Sequence, residues 1–386
     1  MTRWFVVGWR PLLLALVGAL GLSFAAGWWA RWRVEPAGGP PQAELDQLEA
    51  SLRQTFSDRA RALITGEHDL LLPHYDTRGF SGEAALSHEL VRADFVHGWL
   101  TTRRVRVIHL ESDLRLIDAG VRNGTAWASV CQHLRIRYHH EDDPGAGASL
   151  LGTRTMHWLE LTRDNGRWRI ARDWFWDPFK DATSFTSVAA LNRGAPYEVP
   201  PPKTTAGVVK GRFNRQAALA YADRFCGVRA AGGDGRYNPK YLDFTSLGGD
   251  CANFASQVLS DPAAGGMPMD GGWWAQGVRA TSSWTCADSF VEYLLYSGRG
   301  ILLARGDLAE VTAPSAEHPR GAVFSLEPGD IIGYEKRGVV RHVSVVAGRD
   351  KSGYPVVDSH TGDRFHVPWD LGYDSRTRYW LVHVTW

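Results

Sequence analysis

A glycine turn that leads directly into a helix constrains this chain most, because it fixes the position of one cysteine. Residues 248–258 read GGDCANFASQV. Gly248 and Gly249 favour a tight turn, and Asp250 is a residue type that caps helix N-termini. Cys251 is then expected at the first helical position, where backbone N–H groups and the helix dipole stabilise a thiolate. The pattern predicts a cysteine nucleophile, with Gly249, Asp250 and Cys251 forming the turn that stabilises an oxyanion.

Two histidines farther along the chain are the expected polar partners of this thiol. His342 lies in RHVSVVAG and His360 in VVDSHTGD, each beside a β-branched run that is typical of a strand. A thiol nucleophile needs a base, and the base needs a group that holds its imidazole in the useful tautomer. The chain order predicts Cys251 as nucleophile, His342 as base and His360 as the third member. Asp358 is the alternative third member, because it lies two residues earlier on the same strand face.

The second half of the chain has predicted helices first and predicted strands afterwards. Helical spacing covers FNRQAALAYADRFC, CANFASQVLS and ADSFVEYLLYSGRG. Strand patterns cover GDIIGYE, HVSVVAGRD and PVVDSHT, with a fourth candidate in TRYWLVHVTW. This order predicts the α+β class, with helices followed by an antiparallel sheet over residues 212–386.

The first half also reads as α+β, with helices before a curved antiparallel sheet over residues 42–180. Apolar residues at helical spacing predict a helix over 42–65 and a second from about 82 to 99. Two Asn-Gly pairs lie between alternating segments and predict hairpins: Asn123-Gly124 and Asn165-Gly166. On the last predicted strand, Trp168, Ile170 and Trp174 are expected to share one buried face.

The amino-terminal residues predict export. Residues 11–30 form an uncharged apolar run of about the length that crosses a bilayer. Residues 1–33 are therefore predicted to be a signal anchor or a cleaved signal peptide, followed by a Pro/Gly spacer at 34–41. A second Pro-rich stretch, residues 181–211, is the predicted interdomain linker. Either form of the leader places the rest of the chain outside the cytoplasm, membrane-anchored or secreted.

Composition excludes one class of partner. The 43 basic and 42 acidic residues leave a net charge of +1, and no Lys/Arg cluster stands out, so nucleic acid is not an expected partner. Four cysteines are too few for a disulfide framework in a chain of this length. Cys226 and Cys286 are the candidates for one bridge, and Cys131 is expected to be a buried hydrophobic residue.

Residues 212–386 resemble a known family, the putative amidase domain, a branch of the papain-like cysteine hydrolases related to NlpC-type and CHAP-type cell-wall enzymes. The matching segments are FNRQAALAYAD, NPKYLDF, GGDCANFASQVL, TSSWTCADSFVEYLL, PGDIIGYE, HVSVVAG and SHTGDRFHVPW. The resemblance implies a papain-like fold, with Cys251 as nucleophile, His342 as base and His360 as positional match for the third group. In its element pattern, the region 42–180 resembles SnoaL-like domains, also called cystatin-like.

The sequence therefore predicts a cysteine hydrolase that cleaves an amide bond in a peptide or in peptidoglycan, without a metal or cofactor. The alternative is a non-catalytic envelope-binding or interaction protein with a degenerate hydrolase fold. A weaker alternative is a zinc site formed by Cys251, His342 and His360. Two further sets of residues are left open by the sequence. The second oxyanion donor is expected among Tyr237, Asn238 and Tyr241, and walls of a substrate cleft among Trp273, Trp274 and Trp284.

Overall fold

A computed structural model describes residues 42–179, 213–230 and 235–386. The predicted membrane segment at 11–30, the spacer at 34–41 and the linker at 181–211 lie outside the described residues. Within the described ranges, no helix is both long enough and apolar enough to cross a membrane.

Residues 42–179 form two helices followed by an antiparallel sheet, as the sequence predicts. The elements are α1 (Gln42–Thr65), α2 (Phe80–Thr102), β1 (Val105–Arg122), β2 (Thr125–His140), β3 (Ser149–Asp164) and β4 (Arg167–Phe175). Both predicted hairpins are confirmed. Asn123 and Gly124 join β1 to β2 with φ angles of 49° and 73°, the left-handed backbone that the Asn-Gly pair accommodates.

One face of β4 differs from the prediction. Trp168 and Ile170 are buried at 4% and 1% exposure, but Trp174 is 52% exposed. The pairing of β3 with β4 shifts register between Ile170 and Arg172, so that Ala171 is an extra residue in β4. This bulge reverses the alternation of side chains, and Trp174 consequently points away from the core.

Residues 213–386 place their helices before most of their strands, which confirms the predicted α+β class. The helices are α3 (Arg215–Phe225), α4 (Cys251–Ser260), α5 (Ser282–Thr285), α6 (Ala287–Tyr296) and α7 (Leu308–Thr312). The strands are β5 (Ala275–Gln276), β6 (Arg279–Ala280), β7 (Gly300–Gly306), β8 (Ile331–Lys336), β9 (Val339–Arg349), β10 (Pro355–Ser359), β11 (Asp363–Pro368) and β12 (Arg378–Val384). The sequence analysis did not predict β5, β6, β7 or β11, while the fourth candidate strand is confirmed as β12.

One antiparallel sheet runs through both halves of the described chain. Its strand order is β1-β2-β3-β11-β10-β9-β8-β12-β7, and β4 pairs with the second half of β3. The junction is the pairing of β11 with the first half of β3, where Asp363 lies opposite Arg154 and Phe365 opposite Gly152. A side chain at Gly152 would come within 2.8 Å of Val228, so glycine permits this close approach. The sequence divided the chain at its Pro-rich stretch, but the hydrogen-bonded sheet is continuous across that division.

The two halves also share a core and polar contacts. One buried cluster combines Phe95 and Trp99 of α2 with Val346 of β9 and Trp369. Asp370 is 3% exposed and accepts hydrogen bonds from Trp99 Nε1 at 3.2 Å, from the guanidinium of Arg103 at 2.8 Å and from Tyr354 Oη at 2.8 Å. Buried charge of this kind needs each of its donors, so the junction depends on residues of both halves.

The predicted Cys226–Cys286 bridge is wrong. Both residues are thiols in the structure, Cys226 buried in the core and Cys286 exposed between α5 and α6. Cys131 is buried in β2, as expected for a small hydrophobic residue.

Candidate active site

Cys251 lies where the sequence predicts it, at the first residue of α4, with Asp250 at the N-cap position. Its side chain is 7% exposed. Helix α4 packs on β9, the strand that carries His342. Cys251 also belongs to the same buried cluster as Val340 and Val343 of that strand. The predicted nucleophile and the predicted base thus lie on two elements that pack against each other.

The turn before α4 requires its glycines. Gly248 and Gly249 have φ angles of 122° and 134°, a backbone region that side chains rarely adopt. The next backbone N–H, that of Asp250, donates to Thr361 Oγ1 at 2.6 Å. The turn is therefore fixed from the loop between β10 and β11, and this fixes where the helix begins.

The side chain of Asp250 is the centre of a buried hydrogen-bond network. It does not make the predicted capping bond to its own helix. Its Oδ1 accepts from the backbone N–H of Phe244 at 2.7 Å and from Asn253 Nδ2 at 2.8 Å, and its Oδ2 lies 2.5 Å from His360 Nδ1. Asp250 therefore joins the residues before the helix, the first turn of the helix and the loop after β10.

His360 is held rigidly beside Asp250. Its ring is fully buried between Tyr237, with ring centroids 3.5 Å apart, and Phe254, at 4.1 Å. Its Nε2 donates to the carbonyl oxygen of Phe225 at 2.7 Å. Because that oxygen only accepts, the short contact between Nδ1 and the Asp250 carboxylate needs a hydrogen of its own.

The geometry gives His360 a different role from the predicted one. Its two ring nitrogens face Asp250 and the Phe225 carbonyl, and each nitrogen of an imidazole makes one such bond. Neither nitrogen is left to hold the imidazole of His342. His360 orients Asp250, and through it the turn that precedes Cys251.

His342 lies near the start of β9, opposite Tyr334 of β8, and is partly buried. The two rings are 5.7 Å apart between centroids and tilted by 37°. The aromatic neighbour restricts the rotation of the imidazole, because the ring cannot turn without losing this packing.

Asp358, the alternative third member, lies in a different cluster. It is fully buried, and its Oδ1 accepts from the backbone N–H of His366 at 2.8 Å. Burial raises the pKa of Asp358 above its usual range, and the neighbouring carboxylate of Asp223 raises it further. Its partners are residues of β11 and α3.

The other candidates for the site are engaged elsewhere. Tyr237 Oη donates to Asp363, Asn238 Nδ2 to Tyr221 Oη, and Tyr241 Oη to Asp261, at 2.6, 2.8 and 2.8 Å. Trp273 and Trp284, expected as walls of a cleft, are fully buried. Their indole N–H groups donate to Ser256 and Asn253 of α4, so these tryptophans support this helix from within the core. Trp274, the third candidate, is partly buried.

Arg154, in the first half of the chain, helps to hold the Asp250 network in place. The sequence analysis did not predict this contact. Arg154 of β3 donates to Asp363 Oδ2 at 2.9 Å, while Tyr237 donates to the other oxygen and stacks on His360. A continuous chain of contacts thus runs from β3 through Asp363 to Asp250. The pairing of β3 with β11 brings these residues together, and no local sequence pattern predicts that pairing.

Asp250→Ala is expected to lower the free energy of unfolding by about 2–4 kcal/mol, because it leaves three buried donors without an acceptor. Asp250→Asn is the matched variant. Its oxygen can keep the bonds from Phe244 and Asn253, and its amide can donate to Nδ1 of a neutral His360, so we expect a loss below about 1 kcal/mol. Urea unfolding of the two variants measures the difference. Equal losses would contradict the hydrogen-bond assignment.

Comparison with known proteins finds a family that the second half of the chain resembles. Residues 212–382 match the family described as "Putative amidase domain". "Uncharacterized protein YhbB" from Bacillus subtilis (strain 168) is 33% identical over 177 residues, which is 44% of this chain and 44% of that protein. The aligned part is thus less than half of either protein. The family's description indicates hydrolysis of amides, and the turn, helix and strands that surround Cys251 all lie within the segment similar to this amidase family.

Proposed function

We propose that residues 212–386 form a cysteine hydrolase that cleaves an amide bond in a peptide or in peptidoglycan. One observation carries the proposal. Within the segment that matches an amidase family, a glycine turn places Cys251 at the N-terminus of a helix packed on the strand of His342. A helix N-terminus and a neighbouring imidazole are the two devices that convert a thiol into a nucleophile. The resemblance to papain-like, NlpC-type and CHAP-type enzymes supports the same assignment.

The proposed reaction uses few groups. The Cys251 thiolate attacks the amide carbonyl, and the backbone N–H of Cys251 at the helix start donates to the developing oxyanion. His342 holds the thiol proton and delivers it to the departing amine, which leaves a thioester on Cys251. A water molecule that loses its proton to His342 then hydrolyses the thioester and restores the thiol. His360 acts as a positioning residue, because it fixes Asp250 and hence the turn beside the nucleophile.

Thiol labelling tests the nucleophile. Cys286 is exposed, whereas the Cys251 side chain is 7% exposed, so accessibility alone predicts faster alkylation of Cys286. An ordinary thiol is almost fully protonated near pH ~6, and only an activated thiolate reacts quickly there. With limiting iodoacetamide at that pH, we expect Cys251 to be modified first, as read by peptide mass spectrometry. Faster labelling of Cys286, or equal labelling of all four cysteines, would favour the non-catalytic envelope-binding protein.

Digestion of candidate substrates identifies the bond that the protein cleaves. Purified peptidoglycan and simple peptide amides are incubated with the protein, and the released fragments are weighed by mass spectrometry. Protein alkylated at Cys251 is the matched control. A fragment whose mass fits cleavage of an amide, absent from the control, would support the proposal and name the bond. Release of the same fragment by the alkylated protein would contradict it.

The setting of this activity is also a proposal. The apolar residues 11–30 support export of the chain, either anchored in the membrane or secreted. A hydrolase outside the cytoplasm would meet peptidoglycan directly. The region 42–179, whose helices and sheet support the proposed likeness to SnoaL-like domains, would then stabilise the hydrolase through the shared sheet.

A further inference from the structure

A second cluster of titratable side chains contains none of the proposed catalytic residues. It consists of Asp223 on α3, Asp358 on β10 and His366 on β11, each offering one ligand atom, with all three atoms within 4.8 Å of one another. His366 Nε2 lies 2.8 Å from Asp223 Oδ1. Three elements that are distant in sequence therefore converge on one point.

Asp358 shows that the cluster is incomplete without a further group. Its side chain is fully buried, and its Oδ2 has no hydrogen-bond partner among the described residues. Neither Asp358 nor Asp223 forms an ion pair with a lysine or arginine of the described chain, and His366 is the ring that pairs with Asp223. A buried carboxylate oxygen that accepts no hydrogen bond is costly, so Oδ2 of Asp358 calls for a proton or a cation.

We propose that Asp223, Asp358 and His366 bind a divalent transition-metal cation, and that Zn²⁺ is the best fit. Two carboxylate oxygens and one imidazole nitrogen form a ligand set that suits Zn²⁺, whereas Mg²⁺ and Ca²⁺ favour oxygen ligands throughout. The side chains of Asp223 and His366 are 25% and 30% exposed, which gives the ion a path from solvent and leaves room for water as the remaining ligand.

Binding of the ion would change the distances between the ligand atoms slightly, and the His366 Nε2–Asp223 Oδ1 distance of 2.8 Å would increase. Zinc bonds of about 2.0–2.2 Å place tetrahedral ligand atoms about 3.4 Å apart, and the cluster has its ligand atoms within 4.8 Å. Side-chain rotations of the partly exposed Asp223 and His366 can accommodate these changes without moving a strand.

The location gives the ion a structural role. Asp223 and Phe225 lie on the same last turn of α3, and the Phe225 carbonyl accepts the hydrogen bond of His360. A metal that ties α3 to β10 and β11 would therefore hold this carbonyl, His360 and Asp250 in place. This inference depends on the contacts of the cluster, and it holds whether or not Cys251 is a nucleophile.

The test uses the whole protein, stripped with EDTA and titrated with ZnCl₂ in a calorimeter and in thermal unfolding. We expect one Zn²⁺ per chain and a rise in Tm. Asp358→Asn and His366→Asn should each weaken binding at least ~10-fold, because each removes a ligand. Asparagine suits position 366, whose backbone has a φ of 48°. If the Asp358→Asn variant fails to fold, the zinc affinity of the His366→Asn variant tests the proposal.

The matched control is the partly exposed pair His68 and Asp94, whose Nε2–Oδ1 distance is 2.6 Å. Asp94→Asn should leave zinc affinity unchanged. Native protein that binds no zinc would overturn the proposal, and so would variants that bind it as tightly as the native protein. If Asp223 and Asp358 share only a proton, Asp358→Asn will raise the Tm of the metal-free protein and zinc will have no effect, which also overturns it.

Discussion

Cys251→Ala is expected to lower kcat/KM for amide hydrolysis at least ~10³-fold while leaving the fold intact. The loss is large because no other group at the helix start can form the thioester. The fold should survive because alanine is the best helix former, and the helix continues with another alanine at 252. The lost sulfur leaves only a small cavity at a site that is 7% exposed. Unfolding curves and hydrolysis rates of the same sample separate the two effects.

Cys286→Ala is the matched control, because this thiol is exposed and lies in the same half of the chain. Its hydrolysis rate should equal that of the native protein. The double variant Cys251→Ala/His342→Ala should be no slower than Cys251→Ala alone, since nucleophile and base act as a unit. A Cys251→Ala protein that still releases the same amide fragment would refute cysteine catalysis.

The position of Cys251 could be predicted because every rule behind it is local. Two glycines with left-handed backbone, an N-cap residue and an apolar helical stretch lie within eleven residues, and the structure begins α4 at the expected residue. The hairpins at Asn123 and Asn165 could be predicted for the same reason, since the conformation of a two-residue turn depends on its own residues.

Errors arose where distant residues decide the structure. The bulge at Ala171 depends on how β4 pairs with β3, and this single extra residue exposes Trp174. Strand β11 was missed because its segment, DRFHVP, mixes charged and apolar residues without alternation and includes the left-handed His366.

The role of His360 shows the same limit within the site. The sequence order places His360 after His342, the predicted base, and this order favours a catalytic triad. The structure adds two acceptors that sequence cannot show, the carboxylate of Asp250, 110 residues away, and the Phe225 carbonyl, 135 residues away. Contacts at such separations have no signature in one sequence.

Cutting the chain between its two halves is expected to leave a single folded particle. A protease site inserted within residues 181–211 and cleaved after folding should give two fragments that elute together in gel filtration. They should separate only when the protein unfolds. The sequence predicts two domains joined by a linker, and domains of that kind would separate or move freely after the cut.

We expect the two fragments to stay associated because the two halves share a sheet, a hydrophobic core and buried polar contacts. Strand β11 is hydrogen-bonded to β3 on one side and to β10 on the other, so separation would expose unpaired edges on both fragments. It would also expose Trp99 and Trp369 from one core, at about 1.5–3 kcal/mol for each large side chain. Asp370 would remain buried or partly buried without Arg103.

A fragment of residues 212–386 produced alone should therefore lack a cooperative unfolding transition and should not hydrolyse amides. Without β3, Asp363 loses Arg154, and the contacts through Tyr237 to His360 and Asp250 lose their anchor. The protein carrying the uncut protease site is the control for the insertion itself. If the isolated fragment unfolds cooperatively at the native Tm, the shared sheet is not required, and the hydrolase half is an independent domain as its sequence alone predicts.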